Sequence, residues 1–346
     1  MRYPGAEASG RGLSAVLALN ALPEALRPQR LQQVACRVTA NGLACDDGAL
    51  PTGASAAIGS FDGVHIGHQH VIENALARAR VLGKPSAVIF FDPHPQSFFR
   101  PDGASFRLMQ SSQQLRAFEA LGVDYAYMLT FDAALSALSP EAFATAVLRD
   151  ALGVAHVSAG FDFQFGAKGS GHARDLVAFG EALGFTTDIL PLQTDDSGLK
   201  LSSSAVREAL VAGDAGLATH VLGRPQAYLG EVIHGNKLGR TIDFPTLNLQ
   251  LGDYQRPRYG IYVTRTRLGD GRIVDGVSNI GVRPTVGGNV ELLETFLFDF
   301  SEEIYGQVVE TELLDFIRPE ARFASFDEMK VQIQNDADTA RAWFAT

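Results

Sequence analysis

The chain has 346 residues, 46% of them hydrophobic and 20% charged, a balance that suits a soluble globular protein long enough for two domains with separate cores. Lys and Arg number 29 against 39 Asp and Glu, and the net charge of -10 excludes a basic nucleic-acid-binding surface while leaving room for a local nucleotide pocket. Only Cys36 and Cys45 are present, at a spacing that fits no metal motif, so free thiols in a reducing compartment are expected. With no run of about eighteen apolar residues and no signal-like N-terminus, the expected location is the cytoplasm, without a membrane partner.

Residues 1–50 read as an N-terminal extension, Gly, Ala and Ser rich at its start, to which no role can be given. From Ala54 the pattern alternates between strands and helices. Ala54–Ile58 reads as a buried strand, and Val71, Ile72, Ala75, Leu76, Ala79 and Leu82 recur at helical spacing from Gln69 onward. Between them lies Gly59-Ser60-Phe61-Asp62-Gly63-Val64-His65-Ile66-Gly67-His68. A helix start offers N–H groups and a positive dipole end to phosphate, and glycines such as Gly59 and Gly67 let backbone approach the anion. His65 and His68 flank the same spot as donors able to follow charge developing on phosphate oxygens. A metal cluster of His65, His68 and His70 is the competing reading; a Gly-rich turn with no further ligand suits an anion better.

Ser86–Phe91 and Tyr125–Phe131 read as the next strands, with a capping box Ser111-x-x-Gln114 opening a helix between them. Ser139-Pro140 opens another helix, and His156–Gly160 and Thr186–Leu192 complete five strands. Strands separated by helices of this length imply a doubly wound parallel sheet whose ligands sit at the carboxyl ends of the strands. Ser202-Ser203-Ser204-Ala205-Val206-Arg207 then forms a second helix start rich in hydroxyls, with an arginine one turn in. By itself that segment is equally well read as a cap beside a solvated arginine.

Past Gly223-Arg224-Pro225 short alternating runs take over: Ala227–Ile233, Gly260–Arg267, Ile273–Asn279, Leu292–Phe300 and Val308–Phe316. They predict an antiparallel β-barrel or sandwich, followed by a helix that Ser325 and Glu328 cap and that turns Met329, Ile333 and Trp343 inward. Gly235, Lys237, Gly239 and Arg240 suit a loop closing over phosphates, and Thr246 and Asn248 are a partial ligand set for a hard cation. Glu294, among bulky apolar neighbours in a strand, is either structurally paired or a base whose pKa burial raises. The implied organisation is an extension over 1–50, a sheet domain over 51–220 and a barrel domain over 221–346.

Taken together, the motifs of both halves resemble the bacterial bifunctional riboflavin kinase/FMN adenylyltransferases (FAD synthetases). The first half matches through Gly59–His68, Phe91-Asp92-Pro93-His94-Pro95, the Gly160–Gly166 loop and Ser202–Arg207. The second matches through Gly235–Asn248, Gly281-Val282-Arg283-Pro284-Thr285, Glu294, Asp299-Phe300, Tyr305-Gly306 and Arg318–Phe326. The resemblance implies phosphorylation of riboflavin by ATP in the 221–346 domain, with Glu294 as base and Mg²⁺ at Thr246 and Asn248. It further implies that the 51–220 domain joins FMN to a second ATP, giving FAD and pyrophosphate. There His65 and His68 would be catalytic, and Gly59, Phe61, Asp62, Gly67, Ser203, Ser204 and Arg207 would bind nucleotide. Pro93, Pro95, Asp162 and Phe165 would contact flavin. Asp243 stands where the family has glycine, so the alternative is an adenylyltransferase whose kinase domain is impaired or serves only to bind flavin. A class I aminoacyl-tRNA synthetase shares His-Ile-Gly-His, but this chain has no Lys-Met-Ser-Lys-Ser-like segment. An adenylyltransferase for pantetheine phosphate would leave the second domain unexplained.

Overall fold

The computed structural model describes residues 21–40, 42–46, 50–234, 246–285 and 288–346. Among them, residues 27–103 and 114–197 form one compact unit, and residues 22–26, 104–113 and 198–346 form another.

The first unit is built on β1 (Gln32–Thr39), β2 (Gly42–Cys45), β3 (Ser55–Ile58), β4 (Ser86–Asp92), β5 (Tyr125–Thr130), β6 (His156–Gly160), a two-residue ladder of β7 (Gln164–Phe165) and β8 (Gly171–His172), and β9 (Thr186–Leu190). The main sheet runs β2-β1-β5-β4-β3-β6-β9, parallel at every pairing except β1 with β2. All four residues of β3 are buried, and so are Ala87–Phe91 of β4, as strands covered on both faces require. The helix Ile66–Leu82 lays Val71, Ile72, Ala75, Leu76 and Ala79 on the sheet. Gly83 ends it at φ 62°, a left-handed conformation that glycine adopts without a Cβ penalty.

Three expectations change here. Residues 32–45 are not an extension without a role: they add two strands to the five expected, with Val34 and Cys36 buried in the sheet core. The cysteines are not free thiols either, because the β1–β2 register sets Cys36 opposite Cys45 with Cα atoms 4.1 Å apart, and they form a disulfide. Finally, the helix Ser111–Ala120 is capped one residue earlier than Ser111-x-x-Gln114 implies. Gln113 Oε1 accepts the Gln110 N–H at 2.9 Å, and Gln114 instead donates to the carbonyls of Ser60 and Phe61 at 3.0 and 2.9 Å.

The second unit contains β10 (Gln226–Glu231), β11 (Thr246–Gln250), β12 (Gly260–Arg267), β13 (Ile273–Thr285), β14 (Gly288–Leu297) and β15 (Val308–Pro319), all antiparallel in the order β10-β15-β12-β13-β14-β11. An antiparallel bridge between Ile233 and Asn248 brings the chain after β10 against the other edge strand, so the sheet curls into a barrel. Tyr228, Leu249, Tyr262, Ile280, Leu293 and Leu313 fill one face. The other face takes the helix Phe326–Phe344, whose Ala337 and Ala340 meet Val263, Val277 and Phe298. Phe344 packs there while Trp343, expected inside, is 40% exposed: spacings of four and three from Ile333 lead to 337, 340 and 344. The helix Ser203–Ala212 also belongs to this unit, since Arg258 N–H donates to the Leu210 carbonyl at 2.7 Å and Gly213 lies against Arg258 and Phe316.

Candidate active sites

In the first unit the loops after β4, β3 and β6 leave one edge of the sheet from neighbouring parallel strands. They carry Pro93 and Pro95, then Gly59–His68, then Asp162 and Phe165. The central loop is bent in a way its sequence does not disclose: Phe61, Gly63 and Val64 have φ of 49°, 86° and 40°. Glycine tolerates this, whereas the two side-chain-bearing residues cost on the order of 1–3 kcal/mol each. Hydrogen bonds hold the loop in place. Val64 N–H donates to the Phe61 carbonyl at 3.1 Å, Gln69 Nε2 to the Val64 carbonyl at 2.9 Å, and Gln114 clamps the other side.

The result aims the histidines. His65 caps the helix, its Nδ1 accepting the His68 N–H at 3.2 Å, and the two rings stack with centroids 3.6 Å apart. An Nδ1 that accepts leaves the neutral ring's proton on Nε2, so His65 presents a donor from that atom. The Ile66 and Gly67 N–H groups, in the first turn, have no carbonyl of their own helix to meet. The Phe61 ring is buried against His68 and Phe118, so that residue can offer a ligand only its backbone, and the Asp62 side chain is buried too. A Cβ at Gly59 would come within 3.1 Å of the Phe61 ring.

The loops on either side differ in what they expose. Pro95 begins the short helix Pro95–Phe99, capped by the His94 ring, and Pro93 follows a cis peptide bond. Asp162 is exposed, but Phe165 is buried between Phe143, Phe163 and Phe179. The outward aromatic surface is Phe161 and Phe99 instead, 52% and 61% exposed, which hydrophobic patterning alone does not single out.

In the second unit Ser202 caps the helix Ser203–Ala212 through the Ala205 N–H at 3.3 Å, placing Ser203 and Ser204 in its first turn. Arg207 Nε donates to the Phe106 carbonyl at 2.9 Å, and its guanidinium lies over the Phe106 ring. Gly235, Lys237, Gly239, Arg240 and Asp243 lie outside the described residues.

The barrel gathers the remaining residues by register. Asn248 on β11 is directly opposite Glu294 on β14, which is opposite Asn279 on β13. Three polar side chains thus form a row on one face, a convergence from strands far apart in sequence. Arg283, four residues beyond Asn279 on the same strand face, pairs with Glu294. Burial pushes the Glu294 carboxyl above the ordinary carboxylate range, outweighing the opposing pull of Arg283 and of the Asn279 side chain. Structural pairing and a raised pKa therefore coexist at one residue. Asn248 is 1% exposed; its Nδ2 donates to the Thr246 carbonyl at 3.3 Å, and its Oδ1 is buried with no hydrogen-bond partner among the described residues. Beside Thr246 opens a cleft of about 420 Å³ lined by Leu247, Thr295, Phe300, Ile304 and Tyr305. The family resemblance put Arg283 inside a motif and left Asn279 unremarked, because the register that places them beside Glu294 is not local. No described group of three or more His, Cys, Asp or Glu side chains could hold a metal.

Known proteins match along both units. The family model for FAD synthetase matches residues 48–205 and that for riboflavin kinase matches residues 222–344. The bifunctional riboflavin kinase/FMN adenylyltransferase of Haemophilus influenzae is 42% identical over 292 residues, 84% of this chain and 94% of that protein. Its Escherichia coli K12 counterpart is 40% identical over 294 residues, 84% and 93% of the two chains. A crystal structure from Streptococcus pneumoniae, described as a macrolide-efflux protein, superposes with a TM-score of 0.76 at 30% identity over 86% of this chain and 96% of that one. Among the described residues no helix is long and apolar enough to cross a membrane. Relatives matched across both halves do not favour a chain with only one of the two activities. The chain belongs to the bifunctional riboflavin kinase/FMN adenylyltransferase family, transferases that make FMN from riboflavin and ATP, then FAD and pyrophosphate from FMN and a second ATP.

Proposed function

We propose that the two transfers run at separate centres, riboflavin phosphorylation at the Asn248–Glu294–Asn279 row and FMN adenylylation at the helix start His65–His68. The kinase assignment rests on the row itself: a carboxylate whose proton affinity burial raises, beside a buried amide oxygen with no partner among the described residues. Glu294 accepts the proton of the riboflavin 5′-hydroxyl as that oxygen attacks the terminal phosphorus of ATP and the bond to the bridging oxygen breaks to release ADP; a raised pKa makes Glu294 a better acceptor. The cleft beside Thr246 has room for an adenine nucleotide, with Tyr305, stacked on His234 at 4.0 Å, among its apolar walls. Asn248 Oδ1 and Thr246 fit a hard cation that completes its shell with phosphate oxygens and water, and Mg²⁺ bound there would neutralise charge on the transferring phosphate. The loop carrying Gly235, Lys237, Gly239 and Arg240 is assigned to the phosphates on its composition.

At the other centre the FMN phosphate attacks the α-phosphorus of ATP. The Ile66 and Gly67 N–H groups and the His65 and His68 rings are placed to donate to the oxygens that gain charge, which is electrostatic stabilisation without a covalent intermediate. Pro93, Pro95, Asp162 and the exposed Phe161 lie on loops at the same sheet edge and are assigned to flavin. Ser203, Ser204 and Arg207 are assigned to polyphosphate on the chemistry of their own helix start.

Glu294→Ala tests the division. Given riboflavin, ATP and Mg²⁺, this variant should accumulate no FMN, while FMN supplied directly should still become FAD. Wild-type FMN formation by Glu294→Ala would remove the base assignment; loss of both reactions would remove the separation of centres.

A further inference from the structure

Glu320 has no part in the roles assigned above, yet from an exposed position its carboxyl lies against the strand that carries Asn279. It is the first residue after β15, whose last residue Pro319 pairs with Gly260 on β12, and Gly260 pairs on its other side with Ile280 on β13. From there its carboxyl reaches across β12 to Gly281, where a Cβ would collide with it, the Glu320 Cδ being only 2.7 Å away. Glycine at 281 is therefore what lets the carboxylate lie over the strand. Asn279, two residues earlier on the same face and directly opposite Glu294, has its carboxamide close enough to both the Glu294 and the Glu320 carboxylates to favour their charged forms. One carboxamide nitrogen carries two hydrogens, so a single orientation of Asn279 can serve both carboxylates.

We propose that Glu320 is a positioning residue for the phosphorylation of riboflavin: by accepting one hydrogen of the Asn279 amide it fixes the rotamer in which the other hydrogen meets Glu294, and so aims the base. The inference rests on the reading of Glu294 as that base. Without an acceptor at 320 the amide is free to turn over, presenting its oxygen to the Glu294 carboxylate and repelling it from the Arg283 side. A carboxylate turned away from the attacking hydroxyl slows the chemical step and leaves flavin affinity largely as it was. Both carboxyls are pushed above the ordinary range by burial, with Glu320 adding to the rise at Glu294, as expected of two acids sharing one amide.

Steady-state kinetics of FMN formation by the full chain, with FMN-to-FAD conversion as an internal control, tests this. Glu320→Ala should lower kcat roughly 10- to 100-fold with the riboflavin KM nearly unchanged. Glu320→Gln, which keeps an acceptor oxygen, should recover most of the rate. Gly281→Ala, which evicts the carboxyl, should reproduce the Glu320→Ala kcat defect in protein that melts normally. In an Asn279→Ala background Glu320→Ala should add nothing, because the residue acts through that amide. Glu320→Gln as slow as Glu320→Ala, a defect confined to KM, or additive losses with Asn279→Ala would each overturn the proposal. Glu294→Gln separates the two levels. If it keeps the wild-type rate, the base reading has failed; if it is inactive while Glu320→Ala is normal, only the role of Glu320 has.

Discussion

In the sheet unit the candidate site is one unbroken stretch, Gly59–His68, whose donors are the first turn of a helix and two rings aimed by that turn. In the barrel unit it is Asn248, Glu294, Asn279 and Arg283, which meet only because three strands are in register. The difference teaches how each site responds to damage. A site made of backbone tolerates changes elsewhere so long as its own loop keeps its shape, and that loop is held by local hydrogen bonds and Gln114. A site made of side chains on separate strands depends on every residue that orients its neighbours, and so draws in positions such as Glu320.

The largest effects expected from that contrast are at the acting groups. Glu294→Ala should slow FMN formation by roughly 10² to 10⁴, the usual worth of a general base, with FAD formation from FMN unaffected in the same preparation. His68→Ala should slow adenylylation by about 10² to 10³, the worth of one aimed donor, and leave the kinase rate alone. Next comes the edge of the sheet: replacing Cys36 and Cys45 by serine opens a loop closed across nine residues of separation, and chemical denaturation should show a loss of roughly 2–3 kcal/mol. Smaller still, Asn248→Ala should raise the Mg²⁺ concentration for half-maximal kinase activity about tenfold, because a buried oxygen suited to the cation is removed.

The smallest effect separates stability from catalysis. His156 is buried with Nδ1 2.8 Å from Thr186 Oγ1 and Nε2 3.0 Å from Ser158 Oγ, and Ser158 Oγ donates to Asn74 Oδ1 at 2.7 Å. Burial holds its pKa below the ordinary histidine value, against the pull of Asp188. The unfolded chain therefore binds the proton more tightly, so the stability His156 contributes is present above its unfolded pKa of about 6.5 and is lost as pH falls below it. Asp188, held low chiefly by its hydrogen bond from Arg78, loses its contribution only at lower pH, below the unfolded carboxylate pKa near 4. Between about pH 7 and about pH 5 the melting temperature of His156→Gln should therefore fall less than that of the wild type.

Much of this was legible in the sequence because it is local. The strand, glycine turn and helix around His65 and His68 lie within thirty residues, and the β12 bounds Gly260–Arg267 follow from alternation alone. Long-range partners were not legible. Nothing near Cys36 announces that β1 pairs with β5, and nothing near Glu294 names Asn279, Arg283 or Glu320 as neighbours. Phe165 misled for the same reason: an aromatic residue in a functional loop is equally suited to the core, and only packing shows that Phe161 is the one left outside.

Mixing two crippled proteins gives the plainest test of separate centres. His68→Ala given riboflavin, ATP and Mg²⁺ should accumulate FMN with little FAD, and Glu294→Ala should make little of either from riboflavin. The two together should restore FAD, one supplying FMN and the other consuming it. A mixture that yields no FAD, or either variant found defective in both reactions, would contradict the division of labour between Glu294 and His68.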